Sequence, residues 1–166
     1  MLKKKIETDF KQALKEKKQI EVSVLRMLKA DILNKEKEKR YHLSREKTDL
    51  SEKELEKKSS LINEEILNVI LSNIKKNKEA ISGFEKGKRD DLVKKEKQEI
   101  EILKRYLPEQ IPEQEIKNMA SEVIEKMGAS DIKDMGRVMS ELMPKIKGRA
   151  EGSLVSKIVK DMLSQS

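Results

Sequence analysis

Apolar residues recur along this chain at the spacing of amphipathic helices, three or four positions apart. A first predicted helix carries its buried stripe at Leu2, Ile6, Phe10, Ala13 and Leu14. A second follows Gln19, and its stripe comprises Val24, Leu25, Leu28, Ile32 and Leu33. The same period recurs in further segments of the chain. The pattern therefore predicts an all-α protein.

The pattern breaks in residues 35–50, which are polar and include the run KEKEKR at 35–40. We predict that the second helix frays there into a mobile connection. Ser51 and Glu54 then form a capping box, in which each side chain satisfies an amide of the other residue. It predicts the start of one long helix with its stripe at Leu55, Ile62, Ile66, Val69, Ile70, Ile74 and Ile81. Asp90 and Asp91 suit the positive N-terminus of a further helix, which reaches Leu107.

Two prolines, Pro108 and Pro112, forbid a continuous helix through residues 107–112. We place a domain junction with a short, stiff linker there. The predicted domains are residues 1–107, a bundle of about four helices, and residues 108–166, a small three-helix domain. In the second domain Gly128 is placed to end the first helix and Ser130 to cap the next.

The segment MPKIKGRAEG at 143–152 separates the last two predicted helices. Pro144 is expected to end a helix, and Gly148 and Gly152 let the backbone turn at little steric cost. Lys145, Lys147 and Arg149 are then presented on a tight loop, which indicates a phosphate-bearing partner. The alternative is a solvated turn whose glycines serve geometry alone.

Composition limits the possible functions. The 166 residues are 36% apolar and 42% charged, contain no Cys, and include a single His, His42. Disulfides and thiolate metal sites are excluded, and we predict no metal site and no cofactor. No apolar run approaches the ~20 residues of a membrane span, and no secretory signal is evident, so we expect a cytoplasmic protein without membrane contact.

Charge is unevenly distributed. Residues 1–107 hold 29 Lys+Arg against 21 Asp+Glu, and residues 108–166 hold 9 against 10, so a net +8 is followed by −1. The basic excess fits either solvated lysine-rich helix faces or attraction to a polyanion. No nucleophile–base pair, phosphate-binding loop or dinucleotide motif accompanies it, and we predict no catalytic residue.

Two groups of motifs resemble the YqeY family. One comprises FEKGKRDDLV at 84–93, EIEIL at 99–103 and YLP at 106–108. The other comprises GAS at 128–130, KDMG at 133–136, Met139, LMPK at 142–145 and KGRA at 147–150. The resemblance covers nearly the whole chain.

The resemblance implies two helical domains, of which the C-terminal one is similar to the tail domain of GatB, a subunit of the tRNA-dependent amidotransferase. That tail contacts the body of tRNA and performs no chemistry. The family label of carbon–nitrogen ligase with glutamine as amide donor is then inherited from the shared domain. On this basis Lys145, Lys147 and Arg149 approach RNA phosphates, and Lys133 and Arg137, one turn apart on the middle helix, extend the patch.

The leading hypothesis is a non-catalytic module that binds tRNA or another structured RNA. The second is a protein-interaction adaptor beside translation enzymes, with the lysine-rich N-terminal helices as its docking surface. The third is an amide-transferring enzyme, which glutamine-dependent amide formation by the purified chain would establish.

Overall fold

The prediction of an all-α protein is confirmed. A computed structural model describes residues 2–46 and 49–164, and this part of the chain contains eight α-helices and one short 3-10 helix but no strand. None of these helices is both long and apolar enough to cross a membrane. The chain divides into two compact units, Met1–Tyr106 and Leu107–Ser166.

The N-terminal unit contains five helices where about four were predicted: α1 (Leu2–Lys15), α2 (Gln19–Glu46), α3 (Glu52–Ser59), α4 (Asn63–Lys86) and α5 (Asp90–Lys104). Helix α2 is central and packs against each of the other four. The fully buried large residues of this unit are Leu103 of α5 and the predicted stripe residues Ile6, Val24, Leu25, Leu28, Ile66 and Ile70. Burial of these stripes against α2 holds the unit together.

The predicted mobile connection at residues 35–50 is largely wrong, because α2 continues to Glu46. Lys, Glu and Arg are good helix formers and sustain the helix. Ion pairs also tie it to its neighbours: Lys39 Nζ lies 2.8 Å from Glu65 Oε1 on α4, and Arg40 lies 4.0 Å from Glu52 on α3. His42 therefore lies on a helix, with its ring 5.8 Å from that of Tyr41. Residues 47 and 48 of the predicted connection lie outside the described residues.

The single long helix predicted from Ser51 is also wrong, although its capping box with Glu54 is confirmed. The helix is interrupted at residues 60–62, between α3 and α4. Glu36 of α2 accepts the Leu61 amide at 3.0 Å, and Glu65 accepts the Ile62 amide at 2.8 Å. The break is thus fixed by carboxylates that satisfy the amides freed there.

Three predicted stripe residues of this unit are exposed. Leu14 is 45% exposed, Leu33 50% and Ile62 60%. Leu14 and Leu33 each follow a buried residue, and a further step of about 100° around the helix places each of them outside the buried face. Ile62 lies in the break between α3 and α4.

The C-terminal unit contains three α-helices, α6 (Glu113–Met127), α7 (Met135–Ile146) and α8 (Gly152–Ser164), with a 3-10 turn at Ile132–Asp134. All three pairs of helices are in contact. Gly128 ends α6 in the left-handed conformation, as predicted. The next cap is Asp131 rather than Ser130, because the Asp131 side chain accepts the Lys133 amide at 3.3 Å. Residues 107–112 belong to this unit, whose core includes Ile111.

The predicted helix end at Pro144 is wrong. Helix α7 passes through Pro144 and ends at Ile146. A proline removes one hydrogen bond to the preceding turn and crowds the carbonyl four residues back. Here the next turn is kept because Ile146 is fully buried in the core of the unit. Burial of one isoleucine side chain, worth about 1.5–3 kcal/mol, offsets much of that cost.

Glu36 and Glu65 make the stability of the N-terminal unit depend on acid pH. Burial alone would raise the pKa of each carboxyl, but hydrogen bonds from Lys3 and Leu61 to Glu36, and from Lys39 and Ile62 to Glu65, outweigh it and hold each pKa below its usual value. The unfolded chain therefore takes up these protons first as pH falls. We expect the free energy of unfolding, measured by urea titration, to fall from near pH 4.5, the ordinary glutamate pKa, downwards.

Replacing Glu36 or Glu65 by Gln should make this pH dependence shallower, because the titrating group is gone. Glu79→Gln is the matched control, since Glu79 is 66% exposed and 3.9 Å from Lys75. A pH dependence of equal steepness in all three variants would show that other carboxyls are responsible.

Candidate nucleic-acid interface

The turn between α7 and α8 depends on Gly148. The basic loop, residues 144–152, leaves α7 at Ile146 and reverses direction at Gly148, whose φ of +75° is in the left-handed region. The Arg149 amide closes the turn on the Ile146 carbonyl at 2.9 Å. A Cβ on Gly148 would lie 3.2 Å from Cδ of Pro108. Glycine is required here both for its conformation and for the close approach of Pro108.

Two hydrogen bonds fasten the loop to the segment before α6. Gln110 Nε2 donates to the Gly148 carbonyl at 2.7 Å and also to the Pro108 carbonyl at 3.1 Å. The Ile111 amide donates to the Arg149 carbonyl at 2.9 Å. The segment that the sequence presented as a linker is thus a brace for the basic loop. Sequence reasoning missed Gln110, because it lies 38 residues from its partner and no local pattern signals the contact.

Gly152 does not have the role predicted for it. It is the first residue of α8 and does not have a positive φ. A Cβ there would lie 3.7 Å from Cε of Met143, an ordinary van der Waals distance. The side chain of Ser153 donates to Glu151 at 3.0 Å, so the start of α8 already holds a carboxylate. A carboxylate at this helix N-terminus disfavours the binding of a phosphate to the free amides there.

Four of the five candidate cations make ion pairs at the surface. The pairs are Lys133 Nζ to Asp131 at 3.9 Å, Arg137 Nη1 to Asp134 at 3.1 Å, Lys145 Nζ to Glu141 at 3.4 Å, and Arg149 Nη2 to Glu115 at 3.6 Å. Exposed pairs of this kind are worth about 0–1 kcal/mol. An RNA phosphate can therefore take the place of these carboxylates at little cost.

Lys147 is the exception among the five. Lys147 is the first residue after α7 and has a non-helical backbone, with φ −55° and ψ 124°. Its side chain is half-buried. Within residues 2–46 and 49–164 no carboxylate oxygen lies within 4.0 Å of its ammonium. Lys147 is thus the candidate cation whose charge is least neutralised by the protein.

Two of the five candidate cations, Arg137 and Lys145, lie on α7 itself. Arg137 and Lys145 share one face, because they are eight residues apart, which is about 12 Å along the axis. Glu141 lies between them and also pairs with Lys126 of α6 at 3.7 Å. Lys126 was missed because it belongs to another helix. Lys133 is 89% exposed and lies in the 3-10 turn before α7. The prediction that it shares a helix with Arg137 is therefore wrong.

The chemistry of this arrangement is that of a binding surface. Its functional atoms are ammonium and guanidinium groups, which donate hydrogen bonds and carry positive charge. Among residues 2–46 and 49–164 no group of three or more acidic, Cys or His side chains is arranged to hold a metal ion. Fold and site together define a small, two-unit helical protein whose C-terminal unit presents a braced basic loop.

Comparison with known proteins identifies the family. The model of the family described as Yqey-like protein matches residues 3–50 and 35–163, so the chain belongs to the YqeY family. It is similar to the "Altered inheritance of mitochondria protein 41, mitochondrial" of Pyrenophora tritici-repentis, with 26% identity over 96% of this chain and 79% of that protein. An uncharacterized protein of Schizosaccharomyces pombe is 47% identical over 45 residues, 27% of this chain and 37% of its own length.

The two loop glycines should respond differently to alanine. Gly148→Ala is expected to destabilise the C-terminal unit by about 1–2 kcal/mol from the left-handed conformation alone, with a further cost from Pro108. Gly152→Ala, the matched control, should change stability by less than about 1 kcal/mol and in the stabilising direction. Hydrogen exchange of amides in α7 and α8 measures the C-terminal unit separately. Equal protection in both variants would contradict the role of Gly148.

Proposed function

We propose that this protein is a non-catalytic RNA-binding module that grips the backbone of tRNA or another structured RNA through the basic loop. The observation that carries the proposal is the brace: Gln110, Ile111 and Pro108 hold the loop in one conformation. A loop held in one conformation loses little entropy when a ligand binds it. The backbone at Lys147 and Arg149 is therefore preorganised for contact with phosphates, and Lys145 is held beside them in the last turn of α7.

The charge of the C-terminal unit supports a local contact rather than a diffuse one. Residues 108–166 carry 9 Lys+Arg against 10 Asp+Glu, so attraction to a polyanion depends on where the cations lie. Lys126 and Lys145 both pair with Glu141. Arg137 precedes Glu141 by one turn of α7, and Lys147 follows the end of that helix. Contacts of this kind position an RNA without reading its sequence.

A folded RNA fits better than a single strand. Residues 107–166 contain no Phe, Tyr, Trp or His, and recognition of unpaired bases relies on stacking against such rings. The resemblance of the C-terminal part to the tail domain of GatB, from an enzyme that acts on tRNA, makes tRNA the first RNA to test. We place this function in the cytoplasm.

Replacing Lys145, Lys147 and Arg149 together by Ala should weaken tRNA binding by tenfold or more and flatten its salt dependence. Each phosphate contact removed lowers the log–log slope of affinity against salt by about one, so a fall of about three is expected. Fluorescence anisotropy with labelled tRNA over a range of KCl concentrations measures both quantities. A triple variant with unchanged affinity and slope would exclude the basic loop as the binding site.

The control removes the same charge elsewhere. Lys53, Lys57 and Lys58 are exposed lysines on α3, and their triple replacement by Ala should leave the slope within about one of the parent value. If this variant loses as much slope as the loop variant, binding is spread over the basic chain and the loop has no special part in it.

A further inference from the structure

A groove with an apolar floor and a basic rim lies within the N-terminal unit. It runs between the turn joining α1 to α2 and one face of α5, with a cavity volume of about 1080 Å³. Its floor includes Ile20, Val93 and Ile102. Ile20 is 40% exposed, although it is a large aliphatic residue. We call this surface the α5 groove.

The rim of the α5 groove carries five cations against three carboxylates. Arg105 is engaged by Glu21 at 3.2 Å, and Lys18 by Glu16 at 2.6 Å. For Lys17, Lys94 and Lys97 no carboxylate lies within ion-pairing distance in the part of the chain that the structure describes. Lys94 and Lys97 are both exposed on α5 and lie one turn apart. The groove therefore offers three cations whose charge the described residues leave unpaired.

Lys17 lines the α5 groove and has a strained, left-handed backbone conformation. It has a φ of +55°, and the Lys18 amide, which donates to the Ala13 carbonyl at 3.0 Å, closes the end of α1 around it. Glycine is the residue that favours this left-handed position at the end of a helix. Such strained residues concentrate at functional sites. Lys88, with a φ of +52°, shares this conformation but does not line the groove.

We propose that the α5 groove binds an acidic amphipathic helix from a partner protein. The apolar side of such a helix covers Ile20, Val93 and Ile102, and its carboxylates meet Lys17, Lys94 and Lys97. A helix laid in a groove is a recurring mode of peptide recognition. The occupant is a second protein of opposite charge, because a second copy of this unit would bring two basic surfaces together.

The floor argues against RNA as the occupant. RNA binding without base stacking needs cations along a phosphate backbone, and aliphatic residues add nothing to it. None of the described residues that line the α5 groove is aromatic. Burial of the exposed part of Ile20 is favourable only with an apolar partner surface.

The test uses a fluorescein-labelled peptide of about 18 residues, with leucines at helical positions i, i+3, i+4 and i+7 and glutamates on the other side. A second peptide has the same composition with its leucines spread around the helix. Fluorescence anisotropy with the full-length protein should give a Kd at least about tenfold lower for the amphipathic peptide. Equal affinity for the two peptides would overturn the proposal.

Two protein variants locate the peptide. Lys94→Glu with Lys97→Glu should raise its Kd by about tenfold or more, because attraction becomes repulsion. Lys53→Glu with Lys57→Glu makes the same charge change on α3 and should raise it by less than about threefold. Equal effects of the two pairs would show long-range attraction without a groove site. A loss of tRNA affinity on changing Lys94 and Lys97, with peptide affinity kept, would make the groove an RNA surface.

Lys17→Gly and Lys88→Gly together separate the relief of backbone strain from the loss of a groove cation. Lys17→Gly should raise Tm by about 2–4 °C, because glycine relieves the left-handed strain, and should weaken peptide binding about threefold. Lys88→Gly should raise Tm by a similar amount and leave peptide binding unchanged. Stabilisation by both with loss of binding in Lys17→Gly alone supports the proposal. Unchanged binding in both variants would remove Lys17 from the site, and equal loss in both would contradict it.

Discussion

The close approach of Pro108 to Gly148 determines the arrangement of the candidate interface. With 3.2 Å between a Cβ at position 148 and Pro108 Cδ, only glycine fits without a shift, and its φ of +75° turns the chain from α7 towards α8. Hydrogen bonds from Gln110 and Ile111 then hold the carbonyl groups of Gly148 and Arg149 in place. The cations at 145, 147 and 149 are consequently attached to a backbone that the core of the unit holds in place.

The two surfaces proposed for this protein differ in their physics. On the C-terminal unit four of the five candidate cations pair with carboxylates, and binding exchanges these weak surface pairs for contacts to phosphate. On the N-terminal unit, lysines that pair with no carboxylate among the described residues border the exposed Ile20, so binding must bury apolar area as well. The two surfaces therefore suit two different partners, and the salt dependence of binding and the effect of apolar substitutions on it distinguish them.

Periodicity predicted the helices and most of the core, because the 3.6-residue repeat directly reflects which side chains face inward. Leu25, Leu28 and Ile66 are fully buried on their predicted stripes. It failed where tertiary contacts decide the outcome. Helix α7 continues past Pro144 because Ile146 is buried. The interruption between α3 and α4, where Glu36 accepts the Leu61 amide, was not predicted. The cations of the basic loop could be predicted from their residue types. The hydrogen bonds that hold the loop could not, because contacts between residues distant in sequence leave no local pattern.

The most direct test of the account separates the shape of the basic loop from its charge. Gly148→Ala keeps every cation but disturbs the turn that presents them, whereas Gly152→Ala adds the same methyl group without strain. The measurement is the salt dependence of tRNA affinity for both variants, well below the unfolding temperature. We expect weaker binding and a smaller slope for Gly148→Ala, and parental values for Gly152→Ala. Parental affinity and slope in both would contradict a preorganised phosphate-binding loop.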